Sequence, residues 1–133
     1  MPYVNTPDAT LLTTLTRYRE AFATTLAGCW STAQGSFDVV VSERWEFRAD
    51  GILAVTSASA WSGTDHETYR WESEGPFLVR LGWLPDEEDP EGSWVTVPYE
   101  FAVLEHDAGR EVVLRGAGQY GFWLSPAPLC REP

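Results

Sequence analysis

The stretch Ser42–Val55, SERWEFRADGILAV, decides the fold. Two runs of alternating apolar and polar residues meet at Ala49-Asp50-Gly51, and Gly51 supplies the positive φ that a tight hairpin needs. On the first arm Val41, Trp45 and Phe47 fall in one phase, and Arg44, Glu46 and Arg48 in the other. A period of two marks a strand with one face in apolar contact and one in water.

The same alternation runs outward from this hairpin. Asp38–Ala49 and Ile52–Trp61 are its arms, preceded by a short strand over Gly28–Thr32 and a loop at Gln34-Gly35-Ser36. Ser62-Gly63-Thr64-Asp65 turns the chain into Glu67–Ser73, and Glu74-Gly75-Pro76 turns it into Phe77–Trp83. After an acidic loop over Pro85–Gly92 comes Trp94–Leu104, with Val95, Val97, Tyr99, Phe101 and Val103 in one phase. His106-Asp107-Ala108-Gly109 leads to Glu111–Arg115, and Gly116-Ala117-Gly118 to a last strand predicted over Gln119–Leu124. Pro98 lacks an amide proton, so its nitrogen must face a gap, bulge or edge.

Upstream, Thr6-Pro7-Asp8 reads as a helix start with Thr6 as N-cap. Leu11, Leu15, Tyr18, Phe22 and Leu26 then form one apolar stripe at helical spacing. The expectation is an all-β, eight-stranded antiparallel up-and-down barrel with an N-terminal capping helix, because closing long two-faced strands removes their edges. One domain spans 1–133, with the helix over 6–26, the barrel over 27–125 and a tail over 126–133. Such a barrel is either filled by its own side chains or holds one small ligand.

Composition narrows the partners. Twenty Asp and Glu stand against nine Arg and no Lys, a formal charge of −11. A field of that sign repels phosphate backbones and anionic lipid surfaces, so neither nucleic acid nor membrane is expected as a partner. A basic protein partner or a homodimer remains compatible. The first fifteen residues lack a basic region followed by an apolar run, and no apolar run is long enough for a membrane span. The expected compartment is the cytoplasm, where Cys29 and Cys130 stay free thiols; a bridge between them would tie the tail to the first strand.

Leu26-Ala27-Gly28-Cys29-Trp30, after an N-terminal helix, resembles the Gly-x-Trp opening strand of lipocalins and other calycins. Trp45-Glu46-Phe47-Arg48-Ala49-Asp50-Gly51 is similar to the W-x-F-x-x-D-G hairpin of bacterial lipocalin-like domains, and Thr68-Tyr69-Arg70-Trp71 with Phe77-Leu78-Val79-Arg80-Leu81 fits the hairpin that follows. The resemblance covers roughly residues 26–125. It implies a structural Trp30 at the closed end, with an arginine of the last strand packed over it. The strand expected over Gln119–Leu124 carries no arginine, and Arg115 is a displaced substitute.

No catalytic or metal constellation stands out. His66 and His106 fall in turns beside aspartates, as solvated histidines often do, and Asp86-Glu87-Glu88-Asp89 lacks the spacing of a calcium loop. No seryl nucleophile motif and no phosphate-binding glycine loop is present, and no cofactor is expected. Glu43 is the exception: it shares the phase of Trp45 and Phe47, so it lies inside the barrel or at its rim, with Arg80 and Arg115 as possible partners. With seven Trp in the chain, Glu43, Trp45, Phe47, Tyr69, Trp71, Phe77, Trp83, Tyr99, Phe101 and Tyr120 form the expected ligand-binding set. The leading expectation is a binding protein for a small, largely apolar ligand in the barrel interior. The alternatives are an acidic antidote or adaptor module without a cavity, and a calycin-type enzyme using a cavity carboxylate.

Overall fold

A computed structural model describes residues 3–4, 7–33, 41–59, 63–106 and 109–132. The Ser42–Val55 hairpin is its first clear unit. β3 (Val41–Phe47) and β4 (Ile52–Ser59) pair from Val41 opposite Ser59 to Phe47 opposite Leu53. Gly51 takes φ 87°, and the Asp50 carboxylate accepts from the Ile52 amide at 3.1 Å, which locks the turn. Chain neighbours then add in sequence: β5 (Gly63–Gly75), β6 (Leu78–Trp83), β7 (Trp94–His106) and β8 (Gly109–Gly116), each antiparallel to the one before. On the other side β2 (Gly28–Thr32) pairs β3.

The strand that closes the barrel lies where the tail was expected. β9 (Leu129–Arg131) pairs β2 through Trp30 opposite Arg131 and β8 through Leu114 opposite Leu129. Eight strands, β2 to β9, therefore form a closed antiparallel barrel in chain order. Residues 119–124 are not the eighth strand. They fold back on themselves, with Phe122 bridged to Ser125. An ideal Cβ on Gly121 would lie 2.3 Å from the Ser125 carbonyl oxygen, so only glycine permits that tight return. An additional short strand, β1 (Tyr3–Val4), lies on β7 opposite Leu104 and Val103, past the point where β6 ends at Pro98.

The helix is shorter than its apolar stripe. α1 spans Ala9–Ala21, and Asp8 caps it by accepting from the Leu11 amide at 2.9 Å; Thr6 lies outside the described residues. The helix stops because the carbonyls that would continue it are taken by the barrel. Phe22 and Ala23 receive the Tyr99 hydroxyl, Ala23 the Phe77 amide, and Thr24 the Ser73 hydroxyl. α1 and residues 22–27 thereby close one end, with Leu15 and Leu26 buried among Trp30, Phe101 and Val112.

Smaller differences follow from local geometry. His66 sits within β5, and β5 starts at Gly63 where a turn was expected. Phe77 takes φ 57° at the turn into β6, which begins at Leu78. The expected loop 34–36, the first residues of the strand expected from Asp38, the ends near Trp61 and Ser62, and Asp107-Ala108 fall outside the described residues.

At the closed end the Arg131 guanidinium carbon lies 5.5 Å from the Trp30 ring centroid, and its Nη1 donates to the Cys29 carbonyl at 2.9 Å. The last strand thus does carry an arginine over Trp30, and Arg115 is not its substitute. Gly28 makes room: a Cβ there would stand 2.4 Å from the guanidinium nitrogens. The Trp30 indole is itself fully buried, donating to the Leu26 carbonyl at 3.0 Å and stacking on Phe101.

Candidate functional site

The barrel register groups the expected lining residues into cross-strand rows. Cross-strand rows run Glu43–Ser57–Asp65, Trp45–Val55–Glu67 and Phe47–Leu53–Tyr69, with Trp83 next to Tyr69. The rows are tilted, so Trp45 lies opposite Trp30 of β2; the end away from α1, the mouth, is marked by Glu43 on the Trp45 indole, Glu67 on the Tyr69 hydroxyl and Trp83 beside Tyr69.

Six expected residues lie elsewhere. Phe47 is fully buried in the middle of the barrel. Trp71 donates its indole N–H to the Arg48 carbonyl at 2.8 Å, in the turn at the closed end. Phe77, Tyr99 and Phe101 also belong to that end: Phe77 meets Tyr99, Tyr99 binds the chain after α1, and Phe101 meets Tyr18, Phe22 and Trp30. Tyr120 is outside the barrel, where its carbonyl accepts from the Tyr3 hydroxyl at 2.7 Å and its ring meets Tyr3 edge-on.

The residue missed by the sequence reading is Trp123. Its ring contacts Trp45 at 6.1 Å, Tyr69 at 5.2 Å and Trp83 at 5.4 Å between centroids, each near edge-to-face. Its backbone φ of 50° turns the chain so that Phe122 points inward, where it is fully buried against Trp45 and Phe47. One segment thus supplies a plug, Phe122, and a rim ring, Trp123. An alternation of Tyr120, Phe122 and Leu124 imitates a strand; the three glycines at 116, 118 and 121 are the signal against it.

Around these rings the mouth is apolar and acidic together. Trp83, Leu84 and Leu124 are 43%, 43% and 50% exposed, three of the four large hydrophobic side chains left exposed among the described residues. Glu43 is half-buried, and its carboxylate accepts from the Trp45 indole at 3.2 Å and the Ser57 hydroxyl at 3.5 Å. The exposed Glu67 accepts from the Tyr69 hydroxyl. The Tyr69 hydroxyl is pushed up to about 12, first by burial, then by the hydrogen bond and charge of Glu67 and the charge of Glu43.

Among the described residues, none of the carboxylates facing the mouth meets a cation. Arg80 and Arg115 do not reach Glu43: Arg80 pairs with Glu72 at 2.6 Å and Arg115 with Glu100 at 3.0 Å, both outside. The other arginines are engaged too. Arg44 pairs with Glu132, Arg48 with Asp50 and Arg110 with Glu105, while Arg70 lies beside Arg80 over Trp94 and Arg131 over Trp30. Arg17 and Arg19 are on α1 near the closed end. The acidic loop after β6 adds to the field at the mouth. It is ordered by the Asp86 carboxylate, which accepts from the Glu88 and Asp89 amides at 3.0 and 2.7 Å, leaving Glu87, Glu88 and Glu91 in solvent.

Two concavities lie outside the barrel: one of about 400 Å³ on α1, lined by Leu12, Thr13, Thr16, Arg17 and Glu20, and one of about 200 Å³ between β1, α1 and β7, bordered by Tyr3, Arg19, Glu100 and Arg115. In the smaller one Arg115 and Glu100 already neutralise each other. No group of three or more His, Cys, Asp and Glu among the described residues is arranged to hold a metal ion. No disulfide joins Cys29 and Cys130. Among the described residues no helix is long and apolar enough to cross a membrane. The chain matches no protein-family model, no curated protein and no solved structure.

Proposed function

We propose that this chain is a calycin-like barrel that binds a small, largely apolar molecule at its mouth, against Trp45, Tyr69, Trp83 and Trp123. One observation carries the reading: of the four large hydrophobic side chains exposed among the described residues, Trp83 belongs to the ring cluster and Leu84 and Leu124 adjoin Trp83 and Trp123 in the chain, while Leu12 alone lies on α1. A contiguous exposed apolar patch rimmed by polar groups is the usual mark of a binding surface. The middle of the barrel is occupied by Phe47, Leu53 and Phe122, all fully buried, so the ligand sits higher than the interior position that the sequence suggested. Kinship with calycins is supported by Gly28-x-Trp30 together with Arg131 over the indole. A cytoplasmic site of action fits two cysteines that are not joined by a disulfide.

Titration with N-phenyl-1-naphthylamine, an uncharged apolar fluorophore, tests the reading. Saturable enhancement of its emission, weakened in Trp123→Ala, is expected. Emission that rises only linearly with protein, as for non-specific adsorption, overturns it.

A second reading, an acidic docking module for a basic protein, is favoured by the ordered Asp86–Glu91 loop. Replacing Glu87, Glu88 and Glu91 by Gln separates the two. A docking module loses a salt-sensitive complex with a basic protein, whereas the fluorophore site is retained.

A further inference from the structure

We infer that the ligand at this mouth is an organic cation, an amine or quaternary ammonium carried on an apolar body. The inference rests on the binding reading above and specifies its chemistry. The site is built on the rings of Trp83, 43% exposed, and Trp123, meeting edge-to-face at 5.4 Å, with Tyr69 5.2 Å from Trp123. Aromatic faces present negative potential, and tryptophan is the strongest cation binder among them.

The charge around those rings has one sign. Glu43 and Asp65 face the mouth in one cross-strand row and Glu67 in the next, and none of the ion pairs among the described residues includes them. Among the described residues the Glu43 carboxylate is held by two neutral donors, the Trp45 indole and the Ser57 hydroxyl. A half-buried carboxylate aimed by an indole N–H and left without a counter-ion is an acceptor awaiting a cation.

The alternatives fit less well. An anionic ligand would meet three uncompensated carboxylates and no arginine. A hydrated metal ion would find no group of three ligating side chains among the described residues, and would gain little from the tryptophan faces. An ammonium with methyl or methylene substituents uses both features of the site, its charge against the carboxylates and its apolar shell against the rings.

The test compares two molecules of the same shape. Benzyltrimethylammonium and its uncharged isostere neopentylbenzene are titrated into the intact protein, read by tryptophan fluorescence and by NMR shifts of the indole N–H signals. The ammonium is expected to bind about tenfold more tightly at low salt, with the difference shrinking as sodium chloride is added. Glu43→Gln and Glu67→Gln together should reduce that preference to about twofold, read as the ratio of the two affinities so that any change common to both molecules cancels. Equal or tighter binding of the isostere by the wild-type protein overturns the cation assignment and leaves the apolar site standing. Binding of neither molecule, with no saturable N-phenyl-1-naphthylamine signal, overturns both.

Discussion

The guanidinium of Arg131 lies 5.5 Å from the Trp30 ring centroid and is fastened to the Cys29 carbonyl at 2.9 Å. One side chain therefore links the first strand of the barrel to the last, at the end that α1 covers. A planar guanidinium against an indole combines cation–π attraction with a directed hydrogen bond, which an ammonium does not reproduce.

Arg131→Ala should lower stability by about 2 kcal/mol, the sum of a partly desolvated cation–π contact and a charged hydrogen bond. Arg131→Lys should recover less than half of that. Gly28→Ala should be worse, since its Cβ would sit 2.4 Å from the guanidinium and its φ is 125°. Urea denaturation measures all three; a loss below about 0.5 kcal/mol for Arg131→Ala would reduce the contact to a surface substitution.

Trp123 holds φ 50°, a left-handed conformation that glycine adopts freely and other residues adopt at about 1 kcal/mol or more. Trp123→Gly should consequently be at least as stable as Trp123→Ala, the reverse of the usual order. Thermal unfolding of the pair decides it, and a clearly less stable glycine variant would mean that the turn is not held as described.

Three tyrosines should stay protonated well into alkali. The hydroxyls of Tyr3, Tyr69 and Tyr99 are pushed up to about 12 from the ordinary 10.0, in each case chiefly by burial. The unfolded chain gives up these protons near pH 10, and the fold keeps them until about 12. Their contribution to stability is thus complete below pH 10 and disappears as pH rises from about 10 to about 12. Tyrosinate absorbance should rise in two steps, the later one coinciding with loss of the fold; a single step near pH 10 with the fold intact would contradict this.

Tyr3 and Tyr120 tie the N-terminal strand to the segment that carries the plug. Tyr3→Phe removes the hydroxyl that donates 2.7 Å to the Tyr120 carbonyl, a loss of about 1 kcal/mol. Amide exchange over 119–123 should accelerate about fivefold, while β4 amides keep their protection. Unchanged exchange in that segment would show that the plug is held by Phe122 alone.

The long elements were legible because period-two alternation covers them several times over. The hairpin at Gly51 and the shared phase of Glu43, Trp45 and Phe47 follow from alternation, and the barrel class from alternation together with the short connections between strands. β9 was not legible: three residues cannot display a period, and Pro126 and Pro128 before it read as terminators. Its partners, Leu114 and Trp30, lie far away in sequence, so only closure of the barrel specifies it. Trp123 was missed for a related reason. Gly116, Gly118 and Gly121 release the segment from the sheet, and its rings then pack where the mouth has room rather than where alternation would send them. Phase also placed Tyr99 and Trp71 inside, correctly, but could not say which end they serve.

That β9 is so short and comes after every other stave has a consequence for how the protein is made. Ribosomal synthesis runs from β1 onward, so β2 and β8 emerge with open edges and stay open until Leu129–Arg131 arrives. The nascent sheet is a template looking for a partner throughout that interval. Its heavy negative charge, which offers no attraction between copies, then serves as protection during birth as well as chemistry at the mouth.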